Sequence, residues 1–247
     1  MTDLEGKNAL LIGANGGIGN AIATALAAAG AKLTVAGRNL SALHDLRDRL
    51  RAQQDIECAA ISTDVTDDQA VAELVRFAAS ERGGLHVAIN NFGVSHKPAP
   101  IGDLEIASLD RVLATTLRGV ALAMHHQLPA MNDGGSVVNI ASSAGLAGTP
   151  GMSGYAAAKH GVIGLTKTAA IDYAPRNIRV NAVAPGPIES GQIMALPEEV
   201  RRQVGQHVPL GRMGRPEEVA AAVLWLATGA SSYTTGAVLC VDGGRRA

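Results

Sequence analysis

The sequence predicts one three-layer α/β domain, in which a parallel sheet of seven strands carries helices on both faces. Short apolar runs alternate with longer segments of helical periodicity, which is typical of strand–helix–strand units. A glycine cluster follows the first apolar run, and no linker-like stretch divides the 247 residues. A chain of this length can bury a stable core without disulfides or metal ions. We therefore expect a single domain over residues 1–247.

Seven apolar runs are predicted to form the strands. The first is apolar after its asparagine and ends at glycines, as expected of a strand that is buried on both faces. The strands are expected at residues 8–12, 32–36, 58–61, 87–90, 136–140, 179–183 and 237–241.

The segments between the strands predict helices at 18–29, 41–54, 67–82, 109–131, 154–173 and 216–227. The first of these ends at Gly30, a suitable C-cap residue. Residues 185–214 contain no clear strand and only a short helical pattern at 197–207. Because long irregular insertions in compact domains often carry function, we expect a substrate loop or lid around residues 186–214.

Composition and charge argue against several classes of protein. The net charge of -1 gives no electrostatic reason to expect nucleic acid or an acidic membrane as partner. No apolar run reaches the roughly 18 residues that a membrane span needs, and Met1-Thr2-Asp3 does not begin a leader pattern. Cys58 and Cys240 lie in apolar stretches and are expected to be buried and reduced. We expect a cytoplasmic protein.

The glycine cluster Gly13-Ala14-Asn15-Gly16-Gly17-Ile18-Gly19 lies between the first strand and the first helix. In that setting Gly13 permits a tight turn, Gly17 lets the backbone approach a pyrophosphate, and Gly19 lets the helix pack on the strand. The N-terminus of the helix supplies free N–H groups and partial positive charge. The cluster predicts a Rossmann-type dinucleotide-binding fold.

The end of the second strand indicates which dinucleotide is bound. NAD-binding proteins usually have an acidic residue there, whereas NADP-binding proteins offer an arginine. Arg38 follows Ala36-Gly37, and its planar guanidinium suits a 2′-phosphate. A solvated surface arginine is the alternative, and Gly16 leaves the glycine loop without a second basic residue. NADP(H) is favoured over NAD(H).

Tyr155 and Lys159 lie four residues apart, on one face of a predicted helix. A phenol with a pKa of about 10 is a poor acid–base catalyst at neutral pH, and a neighbouring ammonium lowers that pKa. Ser142, at the end of the fifth strand, can hold a substrate carbonyl oxygen. Since ligands bind at the carboxyl ends of parallel strands, these residues predict a site for carbonyl–alcohol chemistry.

The chain resembles the single-domain short-chain dehydrogenases/reductases of about 250 residues over nearly its whole length. Within that family it looks nearest to 3-oxoacyl-carrier-protein reductases and glucose dehydrogenase-like members. The matching motifs are Gly13 to Gly19, Asp64-Val65, Asn90-Asn91-Phe92-Gly93, Asn139 with Ser142, Tyr155 with Lys159, Pro185-Gly186 and Asp242-Gly243-Gly244.

The resemblance implies a role for each matched residue. Tyr155 would donate or accept the proton, Lys159 would lower its pKa and hold the nicotinamide ribose, and Ser142 would orient the substrate oxygen. Asn90 would position the strand beneath the cofactor. The implied cofactor-binding residues are Gly13, Asn15, Gly17, Ile18, Gly19, Arg38, Asp64, Val65, Asn91, Gly93, Tyr155, Lys159, Pro185, Gly186, Ile188 and Ser190. A homotetramer is the implied assembly.

Three residues depart from the family pattern. Thr116 stands where the family has an asparagine that helps a proton relay, so we count it with the catalytic residues, although its hydroxyl lacks the amide carbonyl acceptor. Phe92 replaces an alanine, and either packs into a gap or reshapes the wall of the cofactor or substrate site. Ile12 replaces a threonine, which should affect stability more than activity.

Other polar residues are left with open or modest roles. His96 and Lys97 are expected to be solvated loop residues, although they could touch substrate. Glu189 could also have a substrate role. The remaining histidines lack partners at metal-ligand spacing, so no metal is expected.

Two classes of function are compatible with these residues. The first is an enzyme that interconverts a carbonyl and a secondary alcohol, with either an acyl thioester or a small ketone or sugar as substrate. The second is an NADP(H)-binding sensor or partner subunit with little turnover, for which Thr116 and Phe92 are the hints. The intact Ser142, Tyr155 and Lys159 favour the enzyme.

Overall fold

A parallel seven-stranded sheet forms the centre of the protein. The computed structural model describes residues 3–80 and 83–247, and the strand order across the sheet is β3-β2-β1-β4-β5-β6-β7. This is the predicted doubly wound fold, with the change of direction between β1 and β4. The strands are β1 (Asn8–Ile12), β2 (Lys32–Gly37), β3 (Cys58–Ser62), β4 (Leu85–Asn90), β5 (Met131–Ile140), β6 (Arg179–Pro185) and β7 (Val238–Val241).

Helices cover both faces of the sheet. They are α1 (Gly17–Ala28), α2 (Leu40–Gln54), α3 (Asp68–Ser80), α4 (Ile106–Val112), α5 (Gly119–Ala130), α6 (Ser153–Asp172), α7 (Glu198–Gln206) and α8 (Pro216–Ala227). Most ends fall within a few residues of the expected ones, the normal scatter of helix boundaries. The end of the helix expected at 67–82 lies outside the described residues. Among those that are described, no helix is long and apolar enough to cross a membrane.

The helix expected at 109–131 differs most from its prediction. It begins earlier, at Ile106, and a π-helical segment over Leu113–Arg118 interrupts it between α4 and α5. At its other end Met131 pairs with Leu85 and starts β5, so that strand is longer than expected and its register shifts beside β4. Periodicity alone does not reveal either feature, because both arise from contacts with neighbouring elements.

Alternate side chains of the strands belong to two separate hydrophobic layers, one on each face of the sheet. On β1, Leu11 joins the layer beneath α1, α2 and α8, whereas Leu10 and Ile12 join the layer beneath α3, α5 and α6. Both layers are continuous and almost fully buried. This double-sided burial is the reason that the parallel strands are apolar along their whole length.

Cys58 is buried as expected, but the expectation that Cys240 is buried is wrong. Cys240 lies on β7, at the edge of the sheet, where side chains are only partly covered. An apolar run therefore predicts a strand correctly without predicting how well that strand is covered.

A network of buried amides ties the centre of the sheet to α5 and α6. The Asn90 and Gln127 side chains exchange two hydrogen bonds of 3.0 and 2.9 Å. Asn90 Nδ2 also donates to Asn139 Oδ1 at 2.9 Å, and Asn139 Nδ2 donates to Thr166 Oγ1 at 3.0 Å. All four residues have 0% exposure. Since unpaired polar groups are costly in a dry interior, this network fixes how the helices seat on the sheet.

Replacing Gln127 by methionine should destabilise the protein although the volume is nearly kept. The change leaves the Asn90 amide without two of its hydrogen bonds, which should lower the free energy of unfolding by about 1–3 kcal/mol. Urea denaturation measures the loss. Gln203→Met on the exposed face of α7 is the matched control, with an expected change within about 0.5 kcal/mol. Equal losses in the two variants would contradict the role of the network.

Candidate active site

A long cleft lies at the carboxyl ends of the strands. It consists of two adjoining cavities of about 630 and 650 Å³, and both cavities share a wall that includes Ile18, Arg38 and Ser190. Most of the residues implicated by sequence line this cleft. They are Gly13, Asn15, Ile18, Gly19, Arg38, Asp64, Val65, Asn91, Gly93, Ser142, Tyr155, Lys159, Pro185, Gly186, Ile188 and Ser190.

The glycine loop forms a cradle that larger side chains would fill. Gly13 has φ +88°, and a Cβ atom on it would collide with the Asn91 carbonyl oxygen. A Cβ on Gly19 would collide with the Gly13 carbonyl oxygen, and one on Gly17 would lie 2.7 Å from Ser190 Oγ. Gly16 precedes α1 without a side-chain cap, so the first N–H groups of that helix are free for an anion. The residues present fit a dinucleotide pyrophosphate.

Arg38 and Asp64 follow the carboxyl ends of β2 and β3 and line the first cavity, and Arg38 also lines the second. The Asp64 carboxylate accepts hydrogen bonds from Thr66 N and Thr66 Oγ1 at 2.9 and 2.7 Å. These bonds hold the pKa of Asp64 below its ordinary value, and the charge of Arg38 adds to the effect. A guanidinium at this position fits an anionic group of a bound NAD(P).

Ser142, Tyr155 and Lys159 meet at the other end of the cleft. Ser142 Oγ accepts a hydrogen bond from Ala144 N at 3.1 Å, and the Ser142 hydroxyl lies close enough to Tyr155 to favour its phenolate form. Lys159 Nζ lies 5.8 Å from the centre of the Tyr155 ring and donates to the Ile140 carbonyl at 2.7 Å. One helix and one strand end thus bring the three predicted groups together.

Burial governs the titration of both Tyr155 and Lys159. It lowers the pKa of Lys159 to about 8, because the ammonium is disfavoured away from water. It also raises the pKa of Tyr155, and the hydrogen bond from Ser142 opposes this rise without cancelling it. We expected Lys159 to lower the pKa of Tyr155. In the protein without cofactor this expectation is wrong, because the pKa of Tyr155 is raised. Desolvation of the phenolate outweighs the other influences.

Thr116 lies behind the cleft wall and not on its surface. The side chain has 0% exposure, and Oγ1 accepts from Val94 N at 3.0 Å and donates to Val94 O at 3.1 Å. A Cβ atom on Gly93 would lie 3.1 Å from Thr116 Oγ1 and 3.5 Å from Lys159 Nζ. Thr116 is thus close to the catalytic group, but its hydroxyl is engaged by the segment after β4.

Phe92 both lines the cleft and packs into the protein. It contributes to the walls of both cavities and packs against the hydrophobic layer beneath α5. A Cβ atom on Gly119 would lie 3.1 Å from Phe92 Cε2 and 3.1 Å from Val65 Cγ2. The absence of a side chain at Gly119 therefore makes room for the ring, so the two interpretations of Phe92 apply together.

The expectation that His96 is solvated is wrong, whereas Lys97 is exposed as expected. His96 is buried, with Nδ1 2.9 Å from Lys97 O, and Nε2 accepts a 3.4 Å hydrogen bond from Tyr155 N. It thus contacts the first turn of α6, which no sequence pattern indicates. Glu189 is exposed and is not part of the cleft wall, and its N–H bonds to Gly214 O.

Several residues of the cleft were not anticipated. Arg111 on α4 contributes to both cavities, as does Val94, and Ile193 contributes to the catalytic half. None of them belongs to a recognisable motif. Arg111 lies on α4, Val94 lies in the segment after β4, and Ile193 lies in the 186–214 segment. No group of three or more potential metal ligands occurs within residues 3–80 and 83–247.

Fold and cleft together define a dinucleotide-binding protein with an acid–base group beside the binding cradle. A family model described as enoyl-(acyl carrier protein) reductase matches residues 13–246. The chain is 42% identical to cis-4-hydroxycyclohexanecarboxylate dehydrogenase of Sinomonas cyclohexanicum, over 96% of this chain and 95% of that protein. It is 40% identical to the 3-oxoacyl-[acyl-carrier-protein] reductase of Thermotoga maritima, over 98% of both chains.

Solved structures agree with these sequence comparisons. The crystal structure of levodione reductase superposes with a TM-score of 0.93 at 34% identity, covering 98% of both chains. The chain belongs to the short-chain dehydrogenase/reductase family. It is an oxidoreductase that acts on CH–OH groups, as its named relatives are.

Lys159 should titrate near pH 8, far below an ordinary lysine. NMR of protein labelled at the lysine ε-carbons measures the midpoint, and loss of the signal in Lys159→Arg assigns it. The charged form is present below that pH and is lost above it, because burial disfavours the ammonium. A midpoint near the ordinary lysine value of about 10.4 would show that the side chain is hydrated.

Proposed function

We propose that this protein interconverts a small apolar ketone and its secondary alcohol, with NADP(H) as the hydride carrier. The observation that carries the proposal is the meeting of Ser142, Tyr155 and Lys159 in the same cleft as the glycine cradle. Bound there, the nicotinamide supplies or accepts the hydride. Side chains of the protein donate the proton and orient the substrate.

In the direction of reduction, the Tyr155 hydroxyl donates its proton to the carbonyl oxygen of the substrate. The raised pKa of Tyr155 keeps this group protonated at neutral pH. Ser142, which lines the same cavity as Tyr155, orients the same oxygen. Lys159 holds its ammonium beside the Tyr155 ring through the Ile140 carbonyl, and so favours the phenolate that remains. Thr116 supports Ser142, Tyr155 and Lys159 indirectly. Its bonds to Val94 hold Val94 and Gly93 beside Lys159.

Preference for NADP(H) rests on the adenosine end of the cleft. Arg38 offers a guanidinium where a ribose 2′-phosphate would lie, and guanidinium–phosphate pairs form strong, charge-assisted hydrogen bonds. The proposed cofactor contacts are those expected from sequence, including Ile188 and Ser190 at the nicotinamide end. A homotetramer and a cytoplasmic location remain part of this proposal.

The substrate class is supported by the catalytic half of the cleft and by the relatives. Val94, Ile188 and Ile193 place apolar side chains among the polar residues that line this half. Two relatives are named for six-membered alicyclic alcohols, one of them a cyclohexanol dehydrogenase of Acinetobacter that is 40% identical to this chain. We therefore propose an alicyclic ketone. The relatives named for 3-oxoacyl carrier-protein reduction make an acyl thioester the second candidate.

Replacing Tyr155 by phenylalanine should abolish turnover while cofactor binding persists. Loss of a general acid typically costs about 100- to 10,000-fold in rate. The measurement is NADPH oxidation with cyclohexanone and with an acetoacetyl thioester, alongside a fluorescence titration of NADPH binding. Tyr233→Phe, at a fully exposed tyrosine, is the matched control and should be unchanged. Comparable turnover in Tyr155→Phe and in the wild type would overturn the mechanism.

Replacing Arg38 by alanine should weaken NADPH binding far more than NADH binding. Loss of a charge-assisted hydrogen bond of about 1.5–3 kcal/mol corresponds to a roughly 10- to 100-fold rise in Kd. Fluorescence titration with both dinucleotides measures the two constants. Arg76→Ala, at an exposed position on α3, should change neither. If Arg38→Ala weakens the binding of NADPH and of NADH equally, Arg38 does not contact the 2′-phosphate.

A further inference from the structure

The segment that follows β7 runs back to the catalytic end of the cleft. Asp242 contacts the end of β6, since a Cβ atom on Gly186 would lie 2.8 Å from Asp242 Cα. Gly243 O then accepts a hydrogen bond from Leu210 N at 3.2 Å, which joins the segment to the irregular stretch 186–214 that precedes α8. Three residues later, Arg246 reaches a different part of the fold.

Arg246 bonds to the turn that follows Ser142. Its Nε donates to Ser143 O at 3.2 Å, and its Nη2 lies 3.3 Å from Thr149 Oγ1 and 3.5 Å from Gly148 O. One guanidinium thus spans both ends of residues 143–149, about 100 positions away in the chain. The planar guanidinium suits this task because its donors are spread over three nitrogen atoms and reach acceptors at both ends of the turn, whereas the three donors of an ammonium all leave one atom.

The turn held by Arg246 connects two members of the catalytic group. Ala144 N donates to Ser142 Oγ, so the turn sets the orientation of the serine hydroxyl. A Cβ atom on Gly145 would lie 2.8 Å from Lys159 O, so the same turn packs directly on α6. Displacement of the turn would therefore move Ser142 relative to Tyr155 and Lys159.

We propose that Arg246 is a positioning residue for the proposed carbonyl–alcohol reaction, acting through the 143–149 turn to hold Ser142 against Tyr155. The inference rests on the proposed function. Arg246 is not part of the wall of either cavity. It therefore affects the position of the substrate oxygen only through Ser142, and it does not contact the residues that would bind the cofactor.

The test compares Arg246→Ala with Arg245→Ala, which removes the neighbouring and exposed arginine. Hydrogen–deuterium exchange followed by mass spectrometry reports on the amides of residues 144–146, which are held by bonds to Ser142 and Ser143. We expect faster exchange in this turn for Arg246→Ala only. Steady-state kinetics should show kcat/KM for the carbonyl reduced roughly 10- to 100-fold, as expected of misplaced reacting groups. The Kd of NADPH should be unchanged.

Arg246→Lys should recover part of the loss, because the ammonium can reach one or two of the three acceptors. Thermal unfolding of each variant shows whether the fold is intact. Equal effects of Arg246→Ala and Arg245→Ala, faster exchange without a kinetic change, or a matching loss of NADPH affinity would each overturn the inference. If the wild type reduces no carbonyl, the proposed function fails, whereas the exchange experiment still decides whether Arg246 holds the turn.

Discussion

The buried amide network is the constraint on which the geometry of the site depends. Asn90 and Asn139 lie on adjacent central strands, and Thr166 lies on α6, the helix that carries Tyr155 and Lys159. Because each amide finds partners in a dry interior, sliding or rotating α6 would leave polar groups unpaired. The network thereby sets the register in which Lys159 reaches the carbonyl of Ile140.

In that register both Tyr155 and Lys159 are buried, and burial shifts their similar ordinary pKa values in opposite directions. Lys159 is enclosed, so its pKa falls to about 8, while enclosure raises the pKa of Tyr155. The pKa values of the two groups are therefore shifted in opposite directions, which fits the different roles that we propose for them. At neutral pH the protein holds a protonated phenol beside an ammonium that can still exchange its proton.

Local sequence rules predicted the strands, the glycine cradle and the Tyr155–Lys159 pair, because each depends on residues close together in the chain. The π-helical segment around Thr116, the burial of His96 and the exposure of Cys240 depend on tertiary contacts, and sequence patterns missed them. Arg111 shows the same limit in the cleft. It follows no motif, and it lines both cavities from α4, which packs against the π-helical segment and α6.

Two of the three departures from the family pattern, Phe92 and Thr116, support the same segment after β4. Phe92 anchors the residues after β4 from beneath by filling the space that Gly119 leaves, and Thr116 anchors them from the side through both backbone groups of Val94. Gly93, held between them, keeps the approach to Lys159 free of a side chain. Both substitutions therefore maintain the wall of the cleft. Thr116 lacks the amide carbonyl of the asparagine that it replaces, but Ser142, Tyr155 and Lys159 still line the cleft. This favours an active enzyme over a binding protein that has lost turnover.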